Sequence, residues 1–440
     1  MTRTPKPNRS GKVLVFTALC LTILLGMTAL AIDLGILCLA RTQLQAASDS
    51  GSLSGGTELL SGLGAAKTRT PDEVTVVCRN IAADYVALHP AAEVGSINLN
   101  TDEDVRFGTA SLDTETGVWS FNWGTSPYNA IGVSTHRTAG SGNGAIPLLF
   151  AKALGRQTSE VSADSVAVIM PASGIRVPPG SGYSSGLTPF AFEKARWAKY
   201  WRAREHFEAN GFSESDLTQA NGGHLIPDPA DLDESGNPKP LFHEKLINGQ
   251  NGRIEYRRLF GDLYSVGDPD LQTADNILTP GDGILEMNIY PINNEAGNFG
   301  TVNIANDSNS TAILSDQIQN GLDEYDLSEY DNYTLDPSNE NPLTLSGDTG
   351  ISGGIEASLN EVIGTKRTIL LYDTVADPGN NATYTITDMV GVRFMAVDLR
   401  GQDKVLIVQP DNVSDPTGIP NYEDEIGDET TFFTSLILAK

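Results

Sequence analysis

Asp231, Asp233 and Ser235, followed by Gly236, occupy positions 1, 3, 5 and 6 of a candidate cation loop. Oxygen ligands at that spacing, with glycine at the sharp turn, are the chemistry of calcium binding. The twelfth position is Phe242 rather than a bidentate glutamate, so only a looser calcium loop is open to this segment, not an EF-hand. His243-Glu244 opens like a zinc-binding helix, but Ile247 stands where the second histidine belongs. The other histidines, His89, His136, His206 and His224, are scattered. No serine nucleophile is expected on a strand-to-helix elbow, no catalytic constellation is legible, and no cofactor is implied.

The remaining residue with chemical promise is Asp33, the one ionisable side chain within a long apolar stretch. An acid there either marks the outer membrane interface, where water reaches it, or pairs with a partner helix, because an unmatched intramembrane charge is costly. The element that positions it is plain. Val13 to Ile32 runs twenty residues without a charge. As a helix this spans ~30 Å, the hydrocarbon thickness of a bilayer. Its length favours a retained anchor over a cleaved signal peptide, whose apolar core is shorter, although cleavage near Ala46-Ala47 is the rival reading.

Arg3, Lys6, Arg9 and Lys12 precede the span, and Arg41 stands alone just after it. The positive-inside rule therefore places residues 1–12 in the cytoplasm and the bulk of the chain outside the inner membrane. Setting those four cations aside, the total charge of −27 leaves −31 for the rest. Such a surface repels nucleic acid and keeps an exported domain soluble. Cations alternate with Trp197, Tyr200 and Trp201 in 190–210, which reads as a short helix. The preferred reading makes its aromatic face part of a core rather than a nucleic-acid platform. Of Cys20, Cys38 and Cys78, only the last lies in the acidic part, so packing rather than disulfides must hold that part together.

The expected fold class is α+β: one N-terminal transmembrane helix, then β-rich exported domains with short side helices. Residues 1–12 form the basic start, 13–41 the anchor, and 42–171 a helix extension with a small α+β domain. Residues 172–282 read as a Gly/Pro/Ser-rich linker and an irregular insertion, and 283–440 as a β-rich C-terminal domain. In the second of these, Pro71 to about Pro90 reads as a helix, with strands over 94–100, 104–112, 118–123 and 130–138. The small residues Ala46, Ala47, Ser50 and Gly51 on the helix leaving the membrane suit close packing.

The basic start, Gly11, the apolar span, the block Ala31-Ile32-Asp33-Leu34-Gly35 and the polar run Arg41–Ala47 together resemble the N-terminal segment of TadG-like and TadE-like proteins of tight-adherence (Flp) pilus assembly. The run from Pro147 to Val168 is similar to the segment that follows the anchor in such proteins, and parts of 298–395 resemble a C-terminal Tad-type domain. The resemblance implies a membrane-anchored structural or assembly role, no enzymatic activity, and partners among the inner membrane and other pilus or secretion components. It makes Gly11, Asp33, Gly35 and Arg41 the candidate anchor and partner contacts. Two departures matter. A processed pilin carries a glutamate five residues after its cleavage site; counting from Gly11 that place is Phe16, which argues against a fibre subunit. The Asp-x-Ser-x-Ser pattern of the metal-binding adhesion loop in longer members is matched only in part, by residues 49–53 and 307–311, which argues against adhesion through such a site.

Overall fold

A computed structural model of the chain describes residues 10–64, 66–198, 200–201, 204, 243–247, 254–258, 260–261, 286–290, 299–304, 310–338, 343–348, 350–377, 382–399, 405–422, 426 and 430–439. The chain divides into two compact units, one of residues 1–62, 69–168 and 436–440, the other of residues 63–68 and 169–435. The candidate calcium residues Asp231, Asp233 and Ser235 lie outside the described residues.

The first unit is built on one uninterrupted helix, α1 (Ser10–Gly56), of 47 residues. That is ~70 Å of helix, about twice what a bilayer core needs. Its two halves differ in kind. From Val13 to Ile32 nearly every side chain is exposed and apolar on all faces, the pattern of a helix whose solvent is lipid. The hydroxyls in this half are satisfied internally: Thr17, Thr22 and Thr28 donate to the carbonyls of Val13, Ala18 and Leu24 at 2.8, 2.9 and 2.9 Å. No water is needed to meet them. Beyond the span the helix acquires a buried stripe, Ala40, Leu44, Ala47 and Gly51, at the three- and four-residue spacing of one helix face.

That stripe lies on α2 (Pro71–Val86) and on an antiparallel sheet. Helix α2 starts at a capping box: Thr70 N–H donates to Glu73 Oε2 at 2.9 Å, and Glu73 N–H donates weakly to Thr70 Oγ1 at 3.4 Å. It buries Val74, Cys78, Ala82 and Val86. The sheet comprises β1 (Val105–Asp113), β2 (Val118–Trp123), β3 (Ala130–Arg137) and β6 (Val161–Val168), while β4 (Ile146–Pro147) and β5 (Thr158–Ser159) form a separate two-stranded pair. Its order is β2-β1-β3-β6, and the last strand, Ile437–Ala439, completes it along the free edge of β6. The expected strand over 94–100 is instead irregular, with only an Ala91–Val94 bridge.

The second unit holds an eight-stranded sheet in the order Phe260–Gly261, Glu286–Tyr290, Val405–Pro410, Ala382–Asp398, Leu343–Asp348, Phe299–Val302, Leu187–Glu193, Lys366–Ala376. One described core gathers Phe190, Phe192, Trp197, Tyr200 and Phe394 with the side helices Thr311–Asn320 and Glu356–Glu361. A second gathers Ile175, Leu335, Tyr372, Tyr384 and Phe432.

Three expectations need correction here. The 172–189 linker is not a linker: Ala172–Arg176 pairs with Thr334–Leu335 and with Gly418–Pro420, and Leu187–Glu193 enters the large sheet. Its glycines read as flexibility, yet Gly174 serves close approach, since a Cβ there would sit 2.6 Å from the Leu335 carbonyl. The helix expected from 190 begins only at 194, because Phe190, Ala191 and Phe192 are buried inside a strand. The insertion expected to be irregular contains a hairpin, His243–Ile247 with Ile254–Arg258, so His243 and Glu244 sit on a strand rather than a helix.

Candidate functional site

The site is built at the point where α1 leaves its apolar half. Asp33 is 4% exposed there, directly after a run of exposed apolar residues. Its carboxylate is taken up by this chain's own backbone. The N–H groups of Leu149 and Phe150 donate to Oδ1 at 2.8 and 3.3 Å, and those of Phe150 and Ala151 donate to Oδ2 at 3.1 and 2.7 Å. These three consecutive amides open the 3-10 turn Ala151–Leu154, whose own N-cap Phe150 offers no side-chain acceptor. Asp33, 116 to 118 residues away in sequence, supplies the missing acceptor. The partner observed for Asp33 in this structure is a loop of the same chain.

The remaining candidates are arranged differently. Gly11 lies in the first turns of α1. Gly35 faces open space, since a Cβ there would meet nothing within 4 Å. Arg41 is exposed. The small-residue face beyond them is already occupied within the unit. Ser48 Oγ lies 2.9 Å from Thr135 Oγ1 and donates to the Ala163 carbonyl, and Ser52 Oγ lies 3.0 Å from Ser165 Oγ. A Cβ on Gly51 would come 2.6 Å from Val86 Cγ2, and one on Gly55 would come 2.9 Å from the Cys78 carbonyl. The Cys78 thiol beneath is pushed up to about 12 by burial and, secondarily, by the charge of Glu58.

A polar cavity of about 620 Å³ is lined by Asn98, Asn100, Glu103, Asp104, His136 and the 138–142 turn. His136 Nε2 stands 3.4 Å from Asp104 Oδ1, and its Nδ1 stands 2.7 Å from Ser162 Oγ. The trio has the composition of a nucleophilic triad. Yet Ser162 is the direct cross-strand neighbour of His136 and does not line the cavity, so strand pairing accounts for the contact. Two Gly-x-Ser-x-Gly pentads are present at 182–186 and 350–354. The first leads into a strand. The second precedes a helix, but Ser352 has ordinary extended angles, φ −73 and ψ 130, and its hydroxyl accepts from Gly354 N–H as a cap. A nucleophile elbow needs a strained, outward serine instead. Among the described residues no three His, Cys, Asp or Glu side chains gather as a metal site. Trp197, Tyr200 and Trp201 pack together in the core with ring centroids 4.9 to 5.9 Å apart, leaving no stacking platform for bases.

With this geometry in place, two family models match the chain. Residues 11–58 match the family described as "Putative Flp pilus-assembly TadE/G-like", and residues 64–167 match "Putative Tad-like Flp pilus-assembly". Over these residues the chain is similar to Tad-type pilus-assembly proteins. The first match covers α1 with its apolar span, and the second ends at β6, so nearly the whole first unit is accounted for. No curated protein and no solved structure matches the chain. Helix α1 is, among the described residues, the one helix long and apolar enough to cross a membrane. The Tad-like matches and this helix together fit a membrane-anchored pilus-assembly protein.

Proposed function

We propose that the protein is a single-pass component of the inner membrane with a structural role in assembling a Tad (Flp) pilus or a related secretion system. Its N-terminus faces the cytoplasm and the chain beyond the apolar span lies outside. The carrying observation is the coincidence of the TadE/G-like match with α1, a helix exposed and apolar over one half and packed into its own domain over the other. Such a helix transmits position rigidly from bilayer to domain, because no flexible joint separates anchor from fold. The four cations before the span support the orientation. The role is non-enzymatic in this reading, and Gly35 and Arg41 on the open side of α1 are available to other assembly components.

The test is fractionation of cells carrying an epitope in the exposed 114–117 turn between β1 and β2, with protease added to intact spheroplasts. Retention in the inner membrane with loss of the epitope supports the anchored role. Recovery in sheared fibres replaces it with a fibre-subunit role, and protection of the epitope reverses the orientation.

A further inference from the structure

The turn held by Asp33 carries side chains that the first unit does not use. Leu149, Phe150 and Leu154 are 54, 46 and 88% exposed, while Leu148 beside them is buried. Three large apolar groups in six residues form a patch on a strongly acidic protein, where solvation favours charged tips instead. The patch is not at a random height. Its backbone is bonded to Asp33, one residue past the end of the charge-free span, next to Ile32 and Leu34, which are themselves 41 and 57% exposed. The apolar surface of the span therefore continues sideways onto the turn. Lys152 and Arg156, both exposed, stand among these groups, and the turn from Leu148 to Arg156 carries no acid.

We infer that residues 149–154 form a second membrane contact, a turn seated in the outer leaflet of the bilayer that α1 crosses. Leu149, Phe150 and Leu154 enter the boundary between headgroups and acyl chains, and Lys152 and Arg156 reach lipid phosphates. Asp33 is the positioning residue: three amides surround its carboxylate, so the acid sits at the hydrocarbon edge already bonded, and it sets the depth of the turn. Two attachments, one spanning and one dipping, would fix the rotation of the first unit about α1, which a single helix leaves free. The inference rests on the reading of α1 as a membrane anchor.

The experiment uses the full chain with Cys20→Ala and Cys38→Ala, leaving buried Cys78, in vesicles of phosphatidylethanolamine and phosphatidylglycerol. An environment-sensitive nitrobenzoxadiazole label is placed singly by Leu154→Cys, Phe150→Cys, Leu24→Cys or Val118→Cys, and lipids with shallow or deep nitroxides act as quenchers. The expected result is loss of fluorescence at 150 and 154 with shallow nitroxide, at 24 with deep nitroxide, and none at 118. Adding Asp33→Ala should abolish quenching at 154 and leave that at 24. Quenching at 24 without quenching at 150 or 154 overturns the inference and leaves the anchor standing. A blue-shifted but unquenched label at 150 means that protein, not lipid, covers the turn, and also overturns it. No quenching at 24 overturns the anchor reading and the inference together.

Discussion

Asp33 shows how a residue's type can be legible while its partner is not. An acid after a twenty-residue apolar span has to be satisfied, and that much follows from the cost of an unmatched charge near lipid. Which group satisfies it depends on a loop more than a hundred residues away, which no local pattern ties to it. The expected outcome of Asp33→Ala is loss of hydrogen-exchange protection at the amides of Leu149, Phe150 and Ala151 with little change in β3 or β6; equal loss throughout the sheet would contradict a local role. Cys78 permits a second prediction at this scale. Its thiol, ordinarily near 9, is pushed up to about 12 by burial. The folded protein thus keeps the proton that the unfolded chain releases above pH 9, so stability is full below that and declines as pH rises from about 9 toward 12. Maleimide at pH 8 should label exposed Cys38 in detergent and spare Cys78 until denaturant is added; rapid labelling of native Cys78 would refute its burial.

At the scale of elements, α1 works through the absence of side chains. Gly51 and Gly55 let its backbone approach α2 and β3 more closely than any Cβ allows. Gly55→Val places atoms against the Cys78 carbonyl, the Ala82 methyl and Ile131 at 2.9 to 3.1 Å. This overpacking should destabilise the first unit by about 1–3 kcal/mol, read from denaturant melts of the full chain in detergent. Gly35→Ala, in open space, should leave the same melt unchanged or raise its midpoint, as the helix propensity of alanine exceeds that of glycine by roughly 1 kcal/mol. Equal losses in both variants would mean the close approach is not what the glycines serve. The small-residue face was visible in the sequence as a packing surface. That its partners are α2 and the sheet of the same unit was not, because small residues suit any close neighbour.

At the scale of the molecule, the chain leaves the first unit after β6 and returns to it for one strand. Ile437–Ala439 pairs with Val166–Val168, and a Cβ on Gly56 would fall 2.9 Å from the Leu436 side chain. The second unit is therefore an insertion within the first, whereas a linear series of domains ending at 440 was expected. Leu438→Pro removes a ladder N–H opposite Ala167 and should expose the β6 edge. Hydrogen exchange at 166–168 should accelerate, with the strand Ala382–Asp398 of the second unit unaffected; unchanged exchange at 166–168 would show that the last strand is dispensable.

The sequence by itself determined the apolar span, α2, the strands β1, β2 and β3 and the similarity of residues 11–58 and 64–167 to pilus-assembly families. Each of these is written in local periodicity, in charge flanking a span or in a contiguous motif, and such signals survive without knowledge of the neighbours. Only the tertiary structure decided the strand identity of 172–176 and 187–193, the return of 437–439 to the first sheet and the pairing of Asp33 with the turn at 149–151. These are choices of partner rather than of conformation. A glycine-rich segment, a short apolar tail and an unmatched acid each have several energetically acceptable partners, and burial of the whole chain selects among them.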